Sequence, residues 1–168
     1  MRYAQIRSTD ISNGEGIGVS LFVQGCPFHC KGCFNPETWD FNGGKLWTPD
    51  KQNKFIALAG QPFVKRISIL GGEPLCSKNC YEIFLLCEKL KEKYHNKKIW
   101  IYSGYTYEEL YNNSREQFKP LLFADILVDG RYKENERVLS LPFRGSRNQR
   151  IIDVKKSIKQ GKVVLYME

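Results

Sequence analysis

Cys26, Cys30 and Cys33 follow the apolar run Val19 to Gln24 with gaps of three and then two residues. Thiolates are the ligands of iron–sulfur clusters, and a tetranuclear cluster takes four ligands. Three thiolates on one loop leave one iron open, an arrangement for chemistry at the metal as well as electron storage. Gly25, Pro27 and Gly32 in the same loop allow the tight turning that convergence of three sulfurs needs. Zinc is the competing occupant. A structural zinc site prefers four tetrahedral ligands, usually two CxxC-like pairs or a set completed by His. His29 sits inside the triplet, where it is badly placed to join its neighbours, so the spacing favours the cluster.

The other chemistry-bearing residues are less specific taken alone. Gly71-Gly72-Glu73-Pro74 after a β-rich run reads as a turn. Ser103 and Asp129 end later strands and suit capping as well as contact with a polar ligand. Cys76 and Cys80 repeat the CxxxC gap, which leaves a metal or redox pair open as the minority reading. Cys87 falls in the apolar row of a helical segment and is expected to be a small buried hydrophobe. The chain has two histidines, His29 and His95, the second in a charged run, so no Ser-His-Asp or Cys-His hydrolytic arrangement can be argued.

The elements that must position these residues alternate. The first strand is expected over Gly18 to Gln24, delivering Cys26 to the following loop. Thr48 as N-cap and Pro49 at the first helical position open a helix to about Ala59, ended by Gly60-Gln61-Pro62. Arg66 to Leu70 reads as a strand and Asn79 to Tyr94 as a helix with Ile83, Leu86, Cys87 and Leu90 at helical spacing. Lys98 to Tyr102 is a strand, Tyr107 to Asn112 a short helix and Asp125 to Val128 a strand; Val163 to Tyr166 is a final strand or a packed tail. This alternation predicts an α/β fold with a parallel sheet and right-handed crossover helices, curled into a partial, open β/α barrel. Cys26, Gly71, Ser103 and Asp129 would then share the carboxyl edge of the sheet, where barrel active sites are built.

The bulk properties fit. At 168 residues the chain is one domain's worth, short of the roughly 250 residues of a complete (β/α)8 barrel. It is 42% hydrophobic and 26% charged, ordinary for a soluble globular protein. The amino terminus lacks a secretory core, and no window approaches the ~20 apolar residues of a membrane span, so a cytoplasmic protein with no membrane association is expected. Six cysteines in that compartment read as metal or redox ligands rather than as disulfides. The net charge is +8, and residues 131–162 hold ten Lys or Arg against three Asp or Glu, which suits docking to an acidic surface, phosphate contact or solubility. No nucleic-acid motif is present, and nucleic-acid binding is not expected.

The cysteine spacing after a first strand resembles the signature of the radical S-adenosylmethionine enzymes. Within them, Gly25-Cys26, Cys30, Gly32-Cys33, Asn35, Thr38 and Trp39 resemble the cluster loop of the activating proteins of anaerobic ribonucleoside-triphosphate reductase. So do Asp10 to Gly16, Gly71 to Leu75, Trp100 to Tyr105, Leu127 to Gly130 and Arg144 to Gln149, in order through about the first 150 residues. The resemblance implies a single radical S-adenosylmethionine domain over residues 1–168, with a 4Fe-4S cluster on Cys26, Cys30 and Cys33. S-adenosylmethionine would chelate the fourth iron and be cleaved reductively, and the 5′-deoxyadenosyl radical would abstract hydrogen to leave a glycyl radical on the partner. Gly71, Gly72 and Glu73 are expected at the methionine moiety, the glycines by close backbone approach and Glu73 at the ammonium group. Gly32, Cys33 and Phe34 are the candidates for adenine contact, and Ser103 for the carboxylate or ribose. The implied partners are the reductase large subunit and an electron donor such as flavodoxin. Activation of another glycyl-radical enzyme, of the formate-lyase type, is the runner-up, and a non-catalytic iron–sulfur or zinc-binding module the alternative from a different class.

Overall fold

Every residue from Gly18 to Gln24 is buried, as a strand covered on both faces requires. In the computed structural model, which describes residues 1–113 and 115–168, this segment is β2 (Gly18–Gln24) of an eight-stranded sheet. The other strands are β1 (Arg2–Asp10), β3 (Lys45–Leu46), β4 (Arg66–Gly71), β5 (Lys98–Tyr102), β6 (Ile126–Asp129), β7 (Arg150–Asp153) and β8 (Leu165–Met167). Their spatial order is β3-β1-β2-β4-β5-β6-β7-β8. β2, β4, β5 and β6 pair in parallel, and antiparallel strands extend both margins. The sheet is therefore mixed, which corrects the expectation of a parallel one. β1 carries no clean alternation, because polar residues such as Gln5, Arg7 and Thr9 face solvent along it. β7 is only four residues long, too short to show a pattern.

The helices are α1 (Pro49–Ala59), α2 (Cys80–Lys93), α3 (Tyr107–Asn113), α4 (Arg115–Phe118) and α5 (Val154–Gln160). Thr48 caps α1, its Oγ1 accepting from the Lys51 N–H at 3.3 Å, with Pro49 at the first turn. Asp153 caps α5 in the same way, and Gly161 ends that helix in the left-handed region. No helix among the described residues is long and apolar enough to cross a membrane.

The two faces of the sheet are treated differently. Val19, Leu21, Val23, Ile67, Ile69, Ile99, Ile101 and Leu127 form the main core with Phe55 of α1 and with Ile83, Leu86, Cys87 and Leu90 of α2. The strand residues between them point the other way, where Trp100, Ile126, Val128 and Ile151 make a second cluster with Tyr102, Phe143 and Tyr166. Loops cover this face. The approach of Gly14 to Arg66 and Trp100 brings in the segment after β1, and Phe143 stands edge-on to Trp100 with ring centroids 5.5 Å apart. One face thus carries the stability, and the other is free to hold a cavity.

Candidate active site

Four parallel strands end at one edge, and the loops that leave them build the site. Beyond β2, the cysteine loop is closed at its base. Gly25 and Cys26 donate their N–H groups to the Thr38 and Trp39 carbonyls at 2.8 and 3.0 Å. The Gln24 side chain donates to the Glu37 and Asp40 carbonyls. His29, at a φ of 48°, lies flat on Trp39 with centroids 4.7 Å apart, so it braces the loop rather than facing the thiols. The Asn35 N–H points at Cys33 Sγ, 3.4 Å away. Burial pushes the Cys26 thiol up, opposed by the Phe28 and His29 N–H groups. Burial and the neighbouring Cys33 do the same to Cys30, opposed by the Tyr132 N–H and the Arg131 charge.

Cys26, Cys30, Cys33, Phe34, Gly71, Gly72, Glu73 and Ser103 all line one cavity of about 460 Å³, the size of a small-molecule site. Gly32 is not among the lining residues; it occupies the exposed turn between Cys30 and Cys33 and faces Glu134. All three loop cysteines are free and partly accessible. Among the described residues, no three His, Cys, Asp or Glu gather closely enough to hold one metal ion. A zinc ion needs its ligands on a single centre, whereas a cubane gives each thiolate an iron of its own.

The double glycine owes its identity to backbone packing. Gly71 has a φ of +105°, and a Cβ there would stand 2.8 Å from Phe22 Cα and the Val23 nitrogen. A Cβ on Gly72 would meet the Gly25 carbonyl oxygen at 2.5 Å. These glycines let the end of β4 lie against the root of the cysteine loop, where Glu73 N–H also donates to the Gly25 carbonyl at 2.8 Å. Both glycines also line the cavity.

Glu73 is 1% exposed. Its Oε1 accepts from the Leu75 N–H at 2.9 Å and the Ser103 hydroxyl at 2.8 Å, and its Oε2 from the Gly104 N–H at 2.7 Å. Burial pushes its carboxyl up to about 7, against these three donors, which pull it down. No ion pair reaches it among the described residues. Ser103 is committed to this clasp, since its oxygen also accepts from the Tyr105 N–H. Asp129 lies outside the cavity: it accepts from the Tyr107 N–H at the start of α3 and pairs with Arg150.

Several contributors escaped sequence reasoning. Arg131 leaves β6 and lays its guanidinium over the Phe28 ring at 4.3 Å, and both line the cavity. Gly145 to Gln149, part of the family motif, forms a wall whose ends line the cavity. Gln149 Oε1 accepts from the Gly145 and Ser146 N–H groups, and its Nε2 donates to the Gly130 carbonyl. The signal for Arg131 was its place two residues past a strand end; for the wall it was the family motif Arg144 to Gln149, whose long-range contact with Gly130 only the fold supplies.

Comparison with known proteins places the sequence in a family. A family profile described as a 4Fe-4S single cluster domain matches residues 12–152. The anaerobic ribonucleoside-triphosphate reductase-activating protein of Vibrio cholerae is 36% identical over 151 residues, covering 89% of this chain and 96% of the relative. The protein of the same name from Enterobacteria phage T4 is 34% identical over 90% of this chain and 93% of its own length. That from Haemophilus influenzae is 35% identical over 89% and 96%. The chain belongs to the family of anaerobic ribonucleoside-triphosphate reductase-activating proteins. Members are catalytic activating enzymes of the radical S-adenosylmethionine type. A single-cluster domain raises the question of which cysteines serve. Cys76 and Cys80 are 3% exposed and Cys87 is fully buried. Burial drives the thiols of Cys76 and Cys87 up to about 11 and about 12. These three have the character of core residues.

Proposed function

We propose that this chain activates an anaerobic ribonucleoside-triphosphate reductase by reductive cleavage of S-adenosylmethionine at a 4Fe-4S cluster held by Cys26, Cys30 and Cys33. The observation that carries the reading is the convergence of these three free thiols with Gly71, Gly72, Glu73 and Ser103 on one cavity, in a chain of this family. When bound, the reduced cluster and S-adenosylmethionine supply a 5′-deoxyadenosyl radical that takes a hydrogen atom from a glycine Cα of the reductase. Residues 1–168 act as one domain, and an electron donor such as flavodoxin delivers the electron in the cytoplasm. Helices on one face of the sheet and the cavity on the other support the reading of an open, partial β/α barrel. The shared name of the relatives favours the reductase over a partner of the formate-lyase type.

The residues have separable tasks. Cys26, Cys30 and Cys33 would hold the cluster through three anionic ligands, with its open iron available to S-adenosylmethionine. Glu73 presents a buried carboxylate without a cation at the same cavity, and an arriving ammonium group would compensate it. The clasp from Leu75, Ser103 and Gly104 fixes that carboxylate before the ligand enters, so little ordering remains to oppose binding. Cys33 and Phe34, which line the cavity, are the candidates for adenine contact. Arg131 adds positive charge for the ligand carboxylate.

Anaerobic reconstitution with iron and sulfide, reduction, and assay of 5′-deoxyadenosine test the reading. Wild-type protein should form the product and Cys30→Ala should lose it by at least two orders of magnitude. Equal yields from both, or none from a loaded and reduced wild-type protein in the presence of the reductase, would sink it.

A further inference from the structure

Residues 137–147 leave the sheet and return as a closed loop. Its base is a bridge between Arg137 and Ser146, with Val138 N–H donating to the Gly145 carbonyl and Arg147 N–H to the Glu136 carbonyl at 3.0 Å. Gln149 pins the returning arm to Gly130, and Phe143 anchors the loop on Trp100. A loop fixed at its base and on one flank presents its tip at a set height. That tip carries Leu139 and Leu141, which line the cavity together with Val138 at the base, and Leu139 is 82% exposed, the most exposed large hydrophobic residue described. Ser12 and Asn13 line the same cavity from the loop after β1, and Ile11 beside them is 73% exposed. Apolar side chains rimming a cavity mark a surface that another molecule covers.

The charge at this mouth restricts the occupant. The ionisable lining residues besides the cysteines and tyrosines are Arg7, Arg131, Arg144 and the buried Glu73, so what a visitor meets at the rim is cationic. A cationic rim with an apolar lip suits a segment of protein backbone, whose carbonyl oxygens accept from guanidinium groups, with an apolar side chain and acidic residues beside it.

We propose that the 138–145 loop is the docking lip for the glycine-bearing segment of the reductase, with Leu139 as the apolar anchor seated against a side chain next to the glycine. This rests on the reading of the cavity as the radical-generating site. The lip holds the incoming backbone across the open side of the cavity and completes the exclusion of water that the sheet and loops leave unfinished.

The test is the affinity of the full-length protein for the reductase large subunit from the same organism, measured by titration calorimetry without S-adenosylmethionine. The glycyl-radical signal formed per 5′-deoxyadenosine released is measured in parallel. Leu139→Ser should weaken binding about tenfold, the worth of a partly buried leucine side chain, and lower the radical yield per cleavage event. Leu46→Ser, an exposed leucine on β3 at the other margin of the sheet, serves as control. Equal weakening by both substitutions, or none by Leu139→Ser, overturns the proposal. So does a fall in S-adenosylmethionine affinity with reductase binding intact, which would assign Leu139 to the cofactor. A wild-type protein that binds the reductase yet never releases 5′-deoxyadenosine removes the functional reading itself, and the lip with it.

Discussion

Glu73 combines a place on the cavity wall with an internal hydrogen-bond clasp. Its position after two glycines marked it as a ligand-facing carboxylate, and the structure adds three internal donors to its two oxygens. Ser103, read as a cofactor contact, is one of them. A hydrogen bond to a charged group contributes about 1.5–3 kcal/mol, so Ser103→Ala should destabilise cluster-free protein by that order in urea unfolding. The dependence on pH has a definite sign. The Glu73 carboxyl lies at about 7 in the folded chain against an ordinary 4.5, so stability is fully present below the ordinary value and is lost as pH rises through about 7. Ser103 favours the ionised form, and the penalty of Ser103→Ala should therefore be larger at pH 8 than at pH 5. A penalty independent of pH would show that Ser103 acts through packing alone.

At the scale of elements, the segment after β1 is held to β4 by a buried ion pair. Arg66 donates to Asp10 Oδ1 at 2.7 Å and to the Asp10 carbonyl at 2.9 Å, and both side chains are 1% exposed. Arg66 also donates to Ser68, whose hydroxyl donates to the Asn13 carbonyl. Burial alone would raise the Asp10 carboxyl, but the hydrogen bonds from Arg66 and Asn13 and the Arg66 charge outweigh it and bring it down to about 2. Asp10 therefore contributes stability that is present above its ordinary 3.8 and lost as pH falls through about 2, worth about 2 kcal/mol. Asp10→Asn leaves Arg66 buried without a counter-charge and should cost about 3–5 kcal/mol at pH 7. Chemical denaturation across pH 2 to 7 checks this: the gap between wild type and Asp10→Asn should narrow between about pH 4 and pH 2. A gap that stays constant to pH 2 would mean that shape, not charge, holds this segment.

For the whole molecule, the division of the sheet into a helix-packed face and a loop-covered face also divides the six cysteines. Cys26, Cys30 and Cys33 open on the cavity, whereas Cys76, Cys80 and Cys87 are buried. Alkylation of cluster-free folded protein should label the first three, and unfolding should release the other three, as read by peptide mass spectrometry. Early labelling of Cys76 or Cys80 would reopen the minority reading of a metal or redox pair. The sequence by itself determined what depends on neighbours in the chain: the cap at Thr48-Pro49, the strands at Gly18 to Gln24 and Lys98 to Tyr102, and the cysteine spacing. Those signals are local, because capping, periodicity and ligand spacing act within a few residues. Tertiary structure alone decided the pairing of Arg2 with Gln24 and of Val128 with Ile151, the backbone contact that requires Gly71 and Gly72, and the return of residues 137–147 to the cavity mouth. Each joins segments through hydrogen bonds and packing that carry no local pattern, so only the folded chain brings their partners together.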